Sequence, residues 1–181
     1  MHPVFEDLHN RYRKSLSGKD CAACQLRPAR SLHGKATPWT PQDVIEHLLL
    51  TYRDTAALFD RYLSRKSPSQ RPVETKHRVL QFLVIRCGGF PRGVRAPEAV
   101  CPGKCGMGPM SGDELCACMR SELENLDAKI DECFKTFEKT PFAPHFVFGS
   151  LTAEQWRRFH IVHGRHHLKQ LARISKQTKA A

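Results

Sequence analysis

The sequence predicts an all-α protein, a four-helix bundle with one shorter extra helix and a long Gly/Pro-rich loop. Three observations carry this. Apolar residues recur at helical spacing in four separate segments. Helix-start signals stand at Thr40, Ser111 and Thr152, each followed three residues later by Asp43, Glu114 or Gln155. Alternating β-branched runs are absent.

The first helix spans residues 4–16, where Val4, Phe5, Leu8, Tyr12 and Leu16 share a face. Residues 17–38 hold Gly18, Pro28, Gly34 and Pro38 and read as a connector with room for one or two helical turns. The second helix starts at the Thr40 cap with Pro41 in its first position and runs to about Leu63. Its inward residues are Val44, Leu48, Thr55, Leu58, Phe59 and Tyr62. Pro68 and Pro72 break the chain, and a short helix follows at 75–86 with Val79, Leu80, Leu83 and Val84 as its stripe. Residues 87–110 are rich in Gly and Pro. A loop of that length is expected near the open end of the bundle, where it gates or shapes a pocket. Ser111 caps a long helix to about Glu138, with Leu115, Met119, Leu126, Ile130, Cys133 and Phe137 on its seam. Residues 141–149 form an extended link, and the final helix runs to about Lys176. The whole chain, 1–181, reads as one domain.

Composition narrows the function classes. Apolar residues make up 40% and charged residues 26%, and no apolar run reaches membrane-span length, so no membrane partner is expected. The start, Met1 to Leu8, carries acidic residues where a secretion signal needs positive charge, which points to the cytoplasm. The net charge is +11, but the basic residues are spread along the chain and no aromatics interleave with the basic stripe of the last helix. Nucleic acid is therefore not the expected partner. Eight cysteines in such a chain read as reduced thiols rather than a disulfide framework. Cys101, Cys105, Cys116 and Cys118 depart from zinc-ribbon spacing, and on a helix Cys116 and Cys118 point about 160° apart. No second metal is expected there.

The last helix concentrates chemistry. His160, His163, His166 and His167 fall within eight residues. On a helical wheel His163, His167 and Gln170 share a face with Trp156, Phe159 and Ile174, while Arg158, Arg165, Lys169 and Lys176 face the other way. Two histidines at i and i+4 can grip one metal from a single helix. Gly164 follows His163 where the zinc-protease motif has Glu, so that motif fails. Two readings stand at this point: hydrogen-bonded core histidines, or a metal pair that needs a third ligand. His47 is the candidate third ligand, being the one histidine of the second helix and lying at the margin of its apolar stripe. His9 is a weaker candidate. His2, His33, His77 and His145 sit near ends or loops and read as surface residues. His160 and His166 flank the site as supporting or acid–base groups.

His47 in the second helix, followed by His163-x3-His167-x2-Gln170 in the last, resembles the DinB/YfiT-like superfamily. Local features resemble a domain-of-unknown-function branch of it: Gly34-Lys35 before Pro38-Trp39-Thr40, Asp43 to His47, Phe90-Pro-x-Gly93 to Pro97, and Phe148-Gly149 to Trp156. The resemblance implies an up-down-down-up bundle holding a divalent metal, zinc or nickel, on His47, His163 and His167. Gln170 would lie nearby without a ligand role. It further implies a metal-dependent enzyme, a thiol-dependent S-transferase or related, acting on a small-molecule substrate with a low-molecular-weight thiol. A metal-dependent hydrolase and a non-catalytic metal- or small-ligand-binding protein are the alternatives, and a homodimer is left open. No residue is assigned as catalytic.

Overall fold

The computed structural model describes residues 1–28, 38–69, 72–90 and 96–179. The elements run α1 (Pro3–Leu16), α2 (Cys21–Gln25), α3 (Pro41–Arg65), α4 (Thr75–Leu80), a π-helical stretch (Gln81–Arg86), a 3-10 turn (Glu98–Val100), α5 (Gly112–Phe137), β1 (Ala143–His145), β2 (Gly149–Leu151) and α6 (Ala153–Lys179). Among the described residues the structure is mostly helical, with one antiparallel hairpin that pairs Ala143 with Leu151 and His145 with Gly149.

The long helices begin where their caps say they should. Thr40 accepts a hydrogen bond from the Asp43 backbone at 3.0 Å, and the Asp43 carboxylate accepts one from the Thr40 backbone at 2.9 Å. Ser111 and Glu114 repeat the exchange at α5. Thr152 and Gln155 repeat it at α6. Each exchange satisfies two of the backbone donors that a helix start leaves without partners.

The apolar faces then pack against one another. α3 lies along α5, α1 contacts both α5 and α6, and α6 also touches α3 and α5. Phe5, Leu8, Tyr12, Val44, Leu48, Phe59, Leu115, Met119, Ile130 and Ile174 are buried in the shared core. Two glycines allow the closest approaches. A Cβ on Gly112 would lie 2.0 Å from the Leu16 carbonyl oxygen, so α5 starts directly against the end of α1. A Cβ on Gly164 would lie 2.7 Å from a Leu8 methyl group, so the Leu8 side chain of α1 packs directly against the α6 backbone. Tyr12 donates to the Gly164 carbonyl at 2.6 Å and fixes that contact. Arg157, 6% exposed, joins α6 to α5 by donating to Asp127 at 3.3 Å and to Asp131.

Among its described residues the connector holds one short helix, α2, within the one or two helical turns expected. Two segments differ from the sequence expectation. The extended link at 141–149 contributes to a hairpin, because Phe142 and Ala143 are buried and the chain turns back to pair with Gly149–Leu151. The short helix at 75–86 changes to a π-helix after Leu80. A π turn takes one more residue than an α turn and so rotates the inward face. Val84 and Ile85 are buried, while Val79 and Leu83, expected inside, are 52% and 50% exposed. Arg158 holds this end by donating to the carbonyls of Ile85 at 2.9 Å and Arg86 at 3.1 Å.

Gly112→Ala is expected to lower unfolding free energy by about 1–3 kcal/mol in urea titration, because the new methyl meets backbone that cannot yield. Gly164→Ala is expected to cost less, since a leucine methyl can swing aside and alanine favours helix. Unchanged stability of Gly112→Ala would show that the α1–α5 junction opens freely.

Candidate metal centre

His47 sits in the second turn of α3, and His163 and His167 sit one turn apart near the middle of α6. All three are buried, at 4%, 6% and 6% exposure. The Nε2 atom of His163 lies 3.3 Å from that of His47 and 3.0 Å from that of His167. One ligand atom from each of the three falls within 4.8 Å of the others, so the group can hold a metal ion. Zinc–nitrogen bonds of about 2.0–2.1 Å in tetrahedral array place ligand nitrogens roughly 3.3 Å apart. The histidine spacing fits that figure.

The outer nitrogens decide which way the lone pairs face. His47 Nδ1 donates to the Val100 carbonyl at 2.8 Å, and a carbonyl can only accept. His167 Nδ1 donates to Gln170 Oε1 at 2.8 Å. Both rings therefore carry their proton outside and turn the Nε2 lone pair inward, the tautomer a metal requires. A hydrogen on His163 Nε2 can bond one of these lone pairs, and a metal ion can take all three nitrogens in its place. Burial holds the rings neutral. It pushes the His163 imidazole well below its usual range, and the neighbouring His167, His47, His160 and His166 push it further. His47 is lowered by burial against a smaller upward pull from the Val100 carbonyl.

Aromatic rings line the centre. Trp39 stacks on His167 with ring centroids 6.2 Å apart and tilts over His47 at 5.2 Å. Phe90 covers His163 at 5.2 Å and His166 at 4.9 Å. Phe159 lies parallel to His163 at 5.4 Å. The nearby acids are committed elsewhere. Glu46 accepts from Gln42 at 2.9 Å and from the Gly103 backbone at 2.7 Å, and Glu154 pairs with Arg157. Buried thiols stay protonated: burial first, then neighbouring carboxylates, pushes Cys116 up to about 11 and Cys133 up to about 12. Burial and then Glu46 raise Cys105 as well.

The site thus joins the three residues that helical phase and resemblance singled out. His9 is buried but stands apart, donating to the Cys116 carbonyl at 3.1 Å. His145 is not the surface residue expected from its loop position. It packs on Phe148, Phe159 and Trp156, and burial lowers it to about 3. His160 is fully buried against Tyr52 and Trp156. His33, and residues 91–95 and 34–35 of the quoted motifs, lie outside the described residues. Sequence reasoning missed Val100, whose contribution is a main-chain carbonyl that side-chain pattern does not signal. The wall role of Trp39 and Phe90 was missed too, although both stand in the quoted motifs.

Residues 30–174 match the model of DUF1569, a family described as proteins of unknown function. The chain belongs to this family. No curated protein and no solved structure matches it. Among the described residues, the buried His47, His163 and His167 form the one group of three that could hold a metal ion.

His160 links the site to pH. Burial, then His145, lowers it to about 3, against about 6.5 in an unfolded chain. The unfolded state therefore binds more protons below pH 6.5, so this stability is full above that pH and is lost as pH falls towards 3. The slope is about 1.4 kcal/mol per pH unit for one such histidine. Urea unfolding of metal-free protein between pH 7 and pH 4 is expected to show this loss, and His160→Phe is expected to remove about one proton from the slope. An unchanged slope in the variant would place the proton uptake elsewhere.

Proposed function

We propose that this DUF1569 chain is a divalent-metal protein of DinB-like type, with His47, His163 and His167 as ligands and zinc or nickel as the metal. The observation that carries the proposal is the convergence of three Nε2 atoms with two outer nitrogens already bonded to acceptors. Imidazole suits borderline metals, whereas magnesium prefers oxygen. In this reading residues 1–181 fold as one domain in the cytoplasm, and α1, α3, α5 and α6 form an up-down-down-up bundle.

The activity that best fits is transfer to or from a low-molecular-weight thiol, on a small-molecule substrate. When bound, the ion supplies a Lewis acid that favours the ionised form of a thiol at neutral pH. The chain's own groups do the rest. Three neutral imidazoles leave room for a further ligand. Trp39 and Phe90 limit water around the triad. Hydrolysis commonly needs a carboxylate base beside the site. Glu46 and Glu154 are engaged with other partners, which favours thiol transfer. The raised thiols of Cys105, Cys116 and Cys133 favour an external thiol over one of the protein's own.

Elemental analysis of purified protein is expected to find one equivalent of zinc or nickel. His167→Ala is expected to weaken metal binding by more than about 100-fold while the circular dichroism spectrum and cooperative unfolding persist, because the helices bury apolar faces that do not depend on a metal. Thiol transfer onto generic electrophiles is expected with metal and not without it. Full metal retention by His167→Ala would remove the ligand assignment, and outright unfolding would make the site structural.

A further inference from the structure

The three histidines are not equally supported. His47 has the Val100 carbonyl on its outer nitrogen and His167 has Gln170, but His163 Nδ1 is buried with no hydrogen-bond partner. A histidine that ligates through Nε2 carries its proton on Nδ1, and that proton needs an acceptor. Beside it the same deficiency recurs. His160 stands three residues earlier on α6, fully buried, with neither ring nitrogen bonded. Tyr52 on α3 faces it with ring centroids 5.5 Å apart, and its hydroxyl is also buried and unbonded. Four of the seven buried side-chain polar atoms without partners, among the described residues, thus belong to Tyr52, His160 and His163. Chance would scatter such atoms, and leaving them unbonded is costly. The aromatic neighbours Trp156 and Phe159 offer no acceptor on these faces.

We propose that Tyr52, His160 and the outer nitrogen of His163 enclose an internal water site that orients His163 for metal binding. The ligand is small, neutral and able both to donate and to accept. A water there bonds His163 Nδ1, accepting from it when Nε2 holds a metal, and bonds a ring nitrogen of His160, whose other nitrogen reaches the Tyr52 hydroxyl through a second water. Tyr52 and His160 are positioning residues, acting on the metal through His163. The site gives the third ligand what a carbonyl and an amide give the other two. The inference concerns the support of the metal centre proposed above, and the water itself is read without metal.

Two measurements test it on the full chain. In metal-free protein, NMR is expected to show a long-lived internal water in contact with His163 Nδ1. His160→Phe and Tyr52→Phe should each abolish that contact. Zinc affinity, read by competition with a chromophoric chelator at pH 7.5, is expected to fall about 10–100-fold in His160→Phe and by less in Tyr52→Phe. The urea midpoint of the metal-free variants is expected to change little, because the polar atoms removed bond to water rather than to other protein groups. A lowered midpoint with unchanged zinc affinity would reduce both residues to packing and overturn the proposal. If His160→Phe does not fold, Tyr52→Phe, which removes one oxygen, decides. If wild-type protein binds no zinc, the metal reading fails, and the water contact at His163 still stands or falls by the NMR measurement.

Discussion

The fixed meeting of α3 and α6 is the constraint on which the site depends, because it holds three buried Nε2 atoms 3.0 and 3.3 Å apart. That spacing would be lost if the helices were free to slide. α6 is not free. Tyr12 bonds to the carbonyl of Gly164, the residue after His163, and the absence of a Gly164 side chain lets Leu8 sit against the helix there. Nearly two turns earlier, Arg157 ties α6 to the buried Asp127 of α5. Breaking a buried pair of that kind usually costs several kcal/mol, which makes it an anchor more than a source of net stability. The position of His163 is thus set from α1 and α5, while α3 brings His47 to meet it.

The cysteine-rich segment contributes to the same constraint. Its 3-10 turn ends at Val100, whose carbonyl holds His47, and the next residues bind the same stretch of α3 through Gly103 to Glu46 and through Gly108 and Met110 to Gln42. Cys101 and Cys105 donate weakly to nearby carbonyls. This segment therefore acts as a brace on the start of α3. Its polar contacts are backbone groups, which explains why a cysteine-centred search for chemistry finds little in it.

Around the triad the charges are few and the rings many. Trp39, Phe90 and Phe159 surround the imidazoles, and Glu46 of α3 and Glu154 of α6 have other partners. Low polarity strengthens each interaction that remains, so a misdirected ring nitrogen there has a large effect. The outer nitrogens of His47 and His167 are held by a main-chain carbonyl and a side-chain amide, whereas that of His163 is buried without a protein partner.

Helix starts were legible in the sequence because a capping box is a local device. Thr40 with Asp43, Ser111 with Glu114 and Thr152 with Gln155 satisfy backbone groups within four residues. The pairing of His163 with His167 was legible for the same reason, since residues one turn apart share a face wherever the helix lies. His47 required the further knowledge that two apolar stripes must meet, together with a family resemblance. What only tertiary structure decided lies at greater separation. Arg158 bonds carbonyls more than seventy residues away and accompanies the π-helical turn that brings Ile85 inward in place of Leu83. His145 is drawn into an aromatic cluster by a hairpin whose strands are too short to show a pattern. Val100 reaches His47 across fifty-three residues through a carbonyl that every residue possesses. Side-chain periodicity records the face a residue presents to its own helix, and it carries no record of which distant backbone group will come to meet that face.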